Sequence, residues 1–389
     1  MFNLVVDRIV DNQPWPTLQA YPRRDSSVPW SATYPYTQPV DLVNYCREFN
    51  IACRVYTVEA YPDDSYYVIH IAWFDFTIDY IGLLPEAVRD AVRQGRLRIL
   101  FYYHEGDDPA KIKLRLDLLC RQHELTTDVY KFVSGNTAAD RLENFVSFAD
   151  HELLYYTRNK NEEKIVENQG SSMRTFTALT RTHQWWRATA LADLKRQGLL
   201  DTSYWSYNPA VRADNTIEDC PIKIDNLNIR SYLAEFVAGG PYTADSLTTE
   251  QHNTHSITYM PHYDNSACNI VFETLFDADG SGGAFVSEKT FKPIKHAQPF
   301  VVAGCAGTLQ LLRDLGYRTF DRVINNRYDL IRDNTRRWFA LRDAIAEIKH
   351  GDLDLFRSRC AEDVEHNRSL FLSSKADRLN MLSRKLQND

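Results

Sequence analysis

Short, nearly continuous apolar stretches alternate with longer stretches of helical period over much of the chain. From residue 41 the order reads as a helix over 42–49, a strand over 54–58 and a stronger strand over 66–74, whose unbroken apolar character suits burial on both faces. A helix over 85–94 and a strand over 97–103 follow. Asp107-Asp108-Pro109 then sets a capping carboxylate before a proline, which predicts a helix running to about residue 124. A strand over 129–133, a helix over 137–148 and a strand over 153–156 complete the series. This alternation predicts a doubly wound parallel sheet. Residues 1–40, rich in Pro, Trp, Tyr and Ser, show no clean period and are expected to be irregular and draped on that sheet.

Residues 157–172 are polar, charged and nearly free of aromatics, so they read as a linker. After them the pattern resumes with a strand over 174–179 and an amphipathic helix stopped by Gly198. Periodicity is weak from about 208 to 256. It returns as a strand from 269, a glycine-rich loop, a helix starting at Ser287, a strand over 299–303, a helix over 308–315 ended by Gly316, and a short strand near 318–320. Beyond residue 329 the chain reads as helical to its end. The expected division is residues 1–165 as a first Rossmann-like domain with its irregular N-terminal segment, 166–330 as a second Rossmann-like domain, and 331–389 as C-terminal helices.

Composition narrows the class. The 389 residues, 44% hydrophobic and 25% charged, suit two folded domains. No apolar run approaches the length of a membrane span, and the first residues lack the basic and apolar regions of a signal peptide. The seven cysteines are odd in number and scattered, as expected for reduced thiols in a cytoplasmic protein. A formal charge of -7 supplies no general pull toward nucleic acid, although a local basic groove is compatible with it.

Candidate chemistry gathers where strands give way to helices. Ser287-Glu288-Lys289-Thr290 places an N-capping hydroxyl, a carboxylate and a cation at a helix start, where unpaired N–H groups favour an anion such as a diphosphate. Lys289 and Lys292 add point charge, and Glu288 can accept hydrogen bonds from sugar hydroxyls. A second strand-to-helix site is offered by Thr180-Arg181-Thr182-His183. In the first domain Asp75 and His104-Glu105 follow strands, where ligands sit in such sheets. Glu105 is the first choice for a catalytic base and Asp75 the second. Two metal readings compete weakly. Asp277, Asp279, Ser281, Gly282 and Glu288 fall at calcium-loop positions, but the preceding stretch is strand-like rather than helical. His252, His255 and His262 lack zinc-ligand spacing. No metal and no cofactor is expected.

The longer string around Ser287 resembles a known signature. Phe272-Glu273-Thr274, Phe285-Val286-Ser287-Glu288-Lys289 and Pro299-Phe300-Val301-Val302 with Gly304 look like the donor-binding region of the alpha-1,3-fucosyltransferase-like glycosyltransferases of the GT-B fold. With Leu315-Gly316-Tyr317-Arg318-Thr319-Phe320 the chain also resembles phage-type glycosyltransferases. The likeness is good over roughly a fifth of the chain. It implies a GT-B architecture, two Rossmann-like domains facing a cleft, the acceptor-side domain at 1–165 and the nucleotide-sugar-binding domain at 166–330, with C-terminal helices over 331–389 crossing back to the first domain. It implies transfer of a sugar from a nucleotide-diphosphate donor to an acceptor hydroxyl, inverting and metal-independent, with Glu273, Phe285, Ser287, Glu288, Lys289, Lys292, Arg181, His183 and Arg187 at the donor. The acceptor implied is a glycan, a small molecule or, for a phage enzyme in the host cytoplasm, a modified base in DNA. A non-catalytic carbohydrate-binding or assembly module is the remaining alternative. Thr274-Leu275 replaces the Asn-Ser of the fucosyltransferases, and Pro293 predicts a short or kinked helix.

Overall fold

The computed structural model describes residues 2–6, 8–10, 13–15, 41–71, 74–160, 163–165, 173–180, 183–209, 217–223, 227–244, 257–277 and 282–387. They form two compact units, each an α/β assembly on a parallel sheet. The first unit draws on three stretches, Met1–Leu154, Ala278–Phe285 and Ser374–Asp389; the second on Tyr155–Asp277 and Val286–Ser373.

In chain order the first stretch carries β1 (Phe2–Val6), the hairpin β2 (Arg8–Val10) and β3 (Gln13–Trp15), α1 (Asp41–Glu48), β4 (Cys53–Thr57), β5 (Ser65–Ile71), α2 (Glu86–Arg93), β6 (Leu97–Tyr103), α3 (Pro109–Gln122), β7 (Tyr130–Ser134), β8 (Phe145–Ser147) and the start of α4 (Asp150–Arg158). Its six-stranded sheet runs β4-β1-β5-β6-β7-β8, every neighbouring pair parallel. The period-2 alternation of strand side chains divides its apolar residues between two cores. Val5, Tyr67, Ile69, Ile99 and Phe101 pack with α2 and α3 through Val88, Val92, Ile112 and Leu116. Leu4, Val6, Val68, Leu100 and Tyr102 pack with α1 through Leu42 and Cys46 and with Leu379, Leu382 and Leu386 near the end of the chain. The unbroken apolar runs are therefore what a sheet covered on both faces requires.

Within this unit several expectations are corrected. Residues 2–6, grouped with the irregular N-terminus, form an internal strand: five residues with four of them buried suffice once two neighbours supply the ladder. Residues 16–40 lie outside the described set. The helix expected over 137–148 is a 3-10 turn, Thr137–Arg141, followed by β8. Asn136 caps that turn through Ala138 N, and Asn144, at φ 66°, breaks the chain direction before Phe145. The strand expected over 153–156 is α4, with Asp150 and Glu152 in its first turn, where acidic residues suit the helix dipole.

The remaining elements are β9 (Glu163–Ile165), β10 (Arg174–Leu179), α5 (Trp185–Arg196), β11 (Tyr204–Ser206), α6 (Leu227–Ala238), β12 (Ile257–Tyr259), α7 (Pro261–Asp264), β13 (Ser266–Phe272), α8 (Glu288–Lys295), β14 (Phe300–Ala303), α9 (Thr308–Asp314), α10 (Asn334–His350), α11 (Leu353–Ser373) and α12 (Lys375–Gln387). The second unit's main sheet runs β11-β10-β13-β14, again all parallel. β13 is buried along its whole length. α8 is short, eight residues with Pro293 inside. The strand expected near 318–320 is absent: Arg318 N donates to Asn367 Oδ1 at 2.7 Å and its carbonyl accepts from Asn367 Nδ2 at 2.8 Å, so one side chain satisfies the backbone that a neighbouring strand would have. The last helix, α12, belongs to the first unit. No helix among the described residues is long and apolar enough to cross a membrane.

Candidate functional site

The carboxyl ends of the parallel strands in each unit collect most of the sequence candidates, as expected for ligand-binding positions in doubly wound sheets. In the second unit these are the segments after β10, β11, β13 and β14.

Glu273 directly follows β13 and is fully buried. Its carboxylate accepts from Ser287 N at 3.1 Å through both oxygens, from Ser287 Oγ at 2.6 Å, and from the Thr290 hydroxyl. Glu273 thus supplies from within the protein the anion that the start of α8 attracts. Ser287, buried, is the N-cap of α8, as its residue type predicts. The backbone carbonyl of Glu273 accepts from Arg187 Nη2 at 2.6 Å and Nε at 3.2 Å. Burial pulls the Arg187 guanidinium down to about 10, against the upward pull of Glu273 and Glu288. Arg187 and Glu273 are consequently interior residues that fix the geometry of the β13–α8 turn.

What this turn presents outward is the pair Glu288 and Lys289, both half-buried, with Lys289 Nζ 2.8 Å from Glu288 Oε1 and 3.2 Å from Thr274 Oγ1. The Lys292 ammonium lies 5.9 Å from the Tyr263 ring, on a residue preceding β13, and Lys289 is directed to Thr274, which follows it.

The next helix start, that of α9, is also capped internally. Asp329 accepts from Leu309 N at 2.9 Å and Gln310 N at 3.1 Å. α5 differs, because its N-cap Gln184 makes no side-chain capping bond. Just before it, His183 is buried, with Nδ1 2.5 Å from the Tyr207 hydroxyl and its ring edge-on to Trp185 at 4.7 Å. Arg181 lies outside the described residues. Arg337, which the sequence did not single out, donates to the carbonyls of Gly304 at 3.2 Å, Ile331 at 2.9 Å and Phe276, and so ties the segments after β13 and β14 together. Its signal was available only as an arginine on an otherwise apolar helical face beside Trp338.

In the first unit the two base candidates separate clearly. Asp75 is exposed and spends its carboxylate on a local turn, accepting from Thr77 N at 2.8 Å and Thr77 Oγ1 at 2.6 Å. Glu105, just past β6, is half-buried between two imidazoles: His104 Nε2 lies 3.7 Å from Oε1 and His151 Nε2 3.8 Å from Oε2. Both histidines are buried. Phe285, in the 278–285 stretch of this unit, stands edge-on to His151 at 5.4 Å. Two glycines make that approach possible, since a Cβ on Gly106 would lie 2.5 Å from Phe285 Cγ, and one on Gly135 would lie 2.8 Å from Phe285 Cε2 and 2.4 Å from His104 O. Thr137 N donates to Ala284 O at 3.0 Å and Ala284 N to Thr137 Oγ1 at 2.7 Å, which pins the segment in place. The Phe285–Lys289 string is thus divided, Phe285 in the first unit and Ser287 onward in the second.

Of the two metal readings, the calcium loop lacks its leading helix, because β13 ends at Phe272 and residues 273–277 are not helical. Asp277 accepts from Asn334 Nδ2 at 2.8 Å, Gly282 adopts the positive φ of a tight turn, and Asp279 and Ser281 lie outside the described residues. His262 is buried between the rings of Tyr204 and Tyr259, at 4.8 and 4.7 Å, while His252 and His255 are outside the described residues. Among the described residues, His104, Glu105 and His151 form the one grouping of three His, Cys, Asp or Glu side chains whose ligand atoms all lie within 4.8 Å of one another. No protein-family model matches the chain, and a search of curated proteins finds no significant match.

Proposed function

We propose that the chain is a glycosyltransferase of GT-B type that moves a sugar from a nucleotide-diphosphate donor to an acceptor hydroxyl with inversion. The observation that carries this reading is the arrangement after β13 and β10 in the second unit. A buried carboxylate and a buried guanidinium hold the turn at Glu273, so that Glu288 and Lys289 are offered on a fixed backbone, beside a sheet whose neighbouring helix α5 begins without a side-chain cap. Other helix starts of this sheet, those of α8 and α9, are neutralised by Glu273 and Asp329. The start of α5 is therefore the favoured place for the donor diphosphate, with Arg181 and His183 before it. Lys289 supplies a cation to the leaving diphosphate and Glu288 accepts from donor hydroxyls; both act without a metal.

In the reaction the acceptor oxygen bonds to the anomeric carbon as the bond from that carbon to the diphosphate oxygen breaks. The departing charge is stabilised by the cations of the second unit. Removal of the acceptor proton is assigned to Glu105, whose place past β6 between two histidines distinguishes it from the turn-forming Asp75. Phosphoryl and sugar recognition are thus separate tasks on separate residues.

The test is a melting-temperature screen of the full chain with UDP, GDP, ADP and CDP and their sugars. One nucleoside diphosphate at a hundredfold over its dissociation constant should add about 2.7 kcal/mol to stability. The same compound should give a much smaller shift with Lys289→Ala. A screen in which none of the four raises the melting temperature overturns the reading.

A further inference from the structure

We propose that His104, Glu105 and His151 bind one divalent transition-metal ion of borderline character, for which Zn2+ is the probe. The two Nε2 atoms face opposite oxygens of a single carboxylate, at 3.7 and 3.8 Å. Ligands bound at about 2.0–2.2 Å in a tetrahedral site stand roughly 3.4 Å apart; the three ligand atoms here all lie within 4.8 Å of one another, so closure onto an ion needs movements on the order of 1 Å. Two imidazoles and one carboxylate with a position left for an oxygen ligand suit Zn2+ or Fe2+; calcium and magnesium prefer oxygen donors throughout.

The supports of the three ligands fit this role. His104 and Glu105 sit on the turn leaving β6, and Gly135 N donates to the Glu105 carbonyl at 3.0 Å, which fixes that turn. His151 comes from the first turn of α4. His70 on β5 lies edge-on to His104 at 5.7 Å, and Phe285 lies edge-on to His151, so aromatic rings limit how far either imidazole can rotate. The half-buried Glu105 is the ligand that reaches the accessible side.

Metal binding itself does not depend on the glycosyl-transfer reading; only its use does. An oxygen ligand on such an ion loses its proton more readily. With the ion bound, an acceptor hydroxyl on it would release its proton to solvent water, and Glu105 would hold the ion in place of acting as the base itself. Nucleotide binding by the second unit and metal binding by the first are measured independently.

The experiment uses the full chain stripped with chelator and titrated with Zn2+ by calorimetry, with no nucleotide present, and with Co2+ by visible absorption. The expected result is one Zn2+ per chain and a Co2+ spectrum of nitrogen and oxygen ligands without the thiolate charge-transfer band that the seven cysteines would give. Loss of an outer-shell partner of a metal costs about 10–100-fold in affinity, so loss of a ligand by His151→Ala or His104→Ala should cost ~100-fold or more. Glu105→Gln, which keeps size and shape, should weaken Zn2+ binding while leaving the metal-free melting temperature within about a degree of the parent. Absence of stoichiometric Zn2+ binding, a thiolate band, or binding that survives both histidine substitutions overturns the proposal.

Discussion

A buried glutamate shows how much one residue can decide. Glu152 is fully enclosed in the first unit, with Lys375 Nζ and Arg378 Nε each at 2.9 Å and Ser374 Oγ at 2.6 Å. Burial alone would raise its carboxyl, but the two cations outweigh it and hold the group below its ordinary 4.5. A carboxylate with a depressed folded pKa stabilises the fold above its unfolded pKa and loses that contribution as pH falls through the folded value. The Glu152 contribution should therefore be constant at neutral pH and be lost below about pH 4.5 as Glu152 takes up a proton, which urea unfolding of the parent and of Glu152→Gln across pH will show. Glu152→Ala leaves two cations without their anion and should cost about 3–5 kcal/mol at pH 7. At the candidate site, Lys289→Ala should weaken nucleoside diphosphate binding by roughly 10–100-fold, the worth of a charge-assisted hydrogen bond of about 1.5–3 kcal/mol. Chemistry at this scale was partly legible. Glu105 could be picked out because it follows an apolar run; His151 could not, because its partners are distant in sequence and the apolar Leu153-Leu154-Tyr155 beside it reads equally as strand or helix.

At the scale of elements, α8 depends on a residue outside it. Glu273→Gln keeps the size of the side chain but removes the charge that receives Ser287 N, Ser287 Oγ and the Thr290 hydroxyl. It should destabilise the protein by about 1–3 kcal/mol and diminish the nucleotide-induced melting shift through the displaced Glu288 and Lys289. Retention of the full shift in a measurably destabilised Glu273→Gln protein would separate the helix start from ligand binding. Gly135→Ala addresses the other unit. Its Cβ would meet the His104 carbonyl at 2.4 Å, a backbone atom that cannot swing aside, so a loss of about 1–3 kcal/mol is expected in denaturant unfolding. The strands and helices that the sequence revealed were those with a long apolar run or a clear stop, such as β6, α3 with Asp108 and Pro109, and α9 ended by Gly316. Those it concealed are short and owe their state to neighbours. β1 is a strand because β4 and β5 flank it, and β8 has only three residues paired to β7. Helix starts are similarly incomplete in sequence: Ser287 announces a cap, but only the fold shows that Glu273 already fills the place an anion would take.

The whole molecule is partitioned in a way that no local pattern encodes. Residues 278–285 and 374–389 belong to the unit begun by the N-terminus, and what recruits them is packing and pairing far along the chain: Ala284 with Thr137, Lys375 and Arg378 with Glu152, and Leu379, Leu382 and Leu386 in the core under β1 and β5. Polar composition, as over 157–172, can be read locally along a chain; membership of a core cannot. Removing residues 374–389 would take out three leucines worth about 1.5–3 kcal/mol each on burial, a sum comparable to the entire 5–15 kcal/mol of a typical domain. The truncated chain should lose cooperative unfolding of the first unit by calorimetry.

The recruitment of α12 also bears on biogenesis. Domains usually fold from the N-terminus as they leave the ribosome, at about 5–20 residues per second of synthesis. Here one face of the first sheet stays without its final cover until residue 386 has emerged. The 219 residues between Leu154 and Ser374 (373 minus 154) put a delay of roughly 10–45 seconds between the end of the N-terminal stretch and the closing helix. Over that interval Leu4, Val6, Val68 and Leu100 present a sticky surface to the translation machinery and its attendant chaperones. A nascent chain stalled near residue 360 should accordingly remain protease-sensitive throughout its first 150 residues, and release of the full chain should protect them.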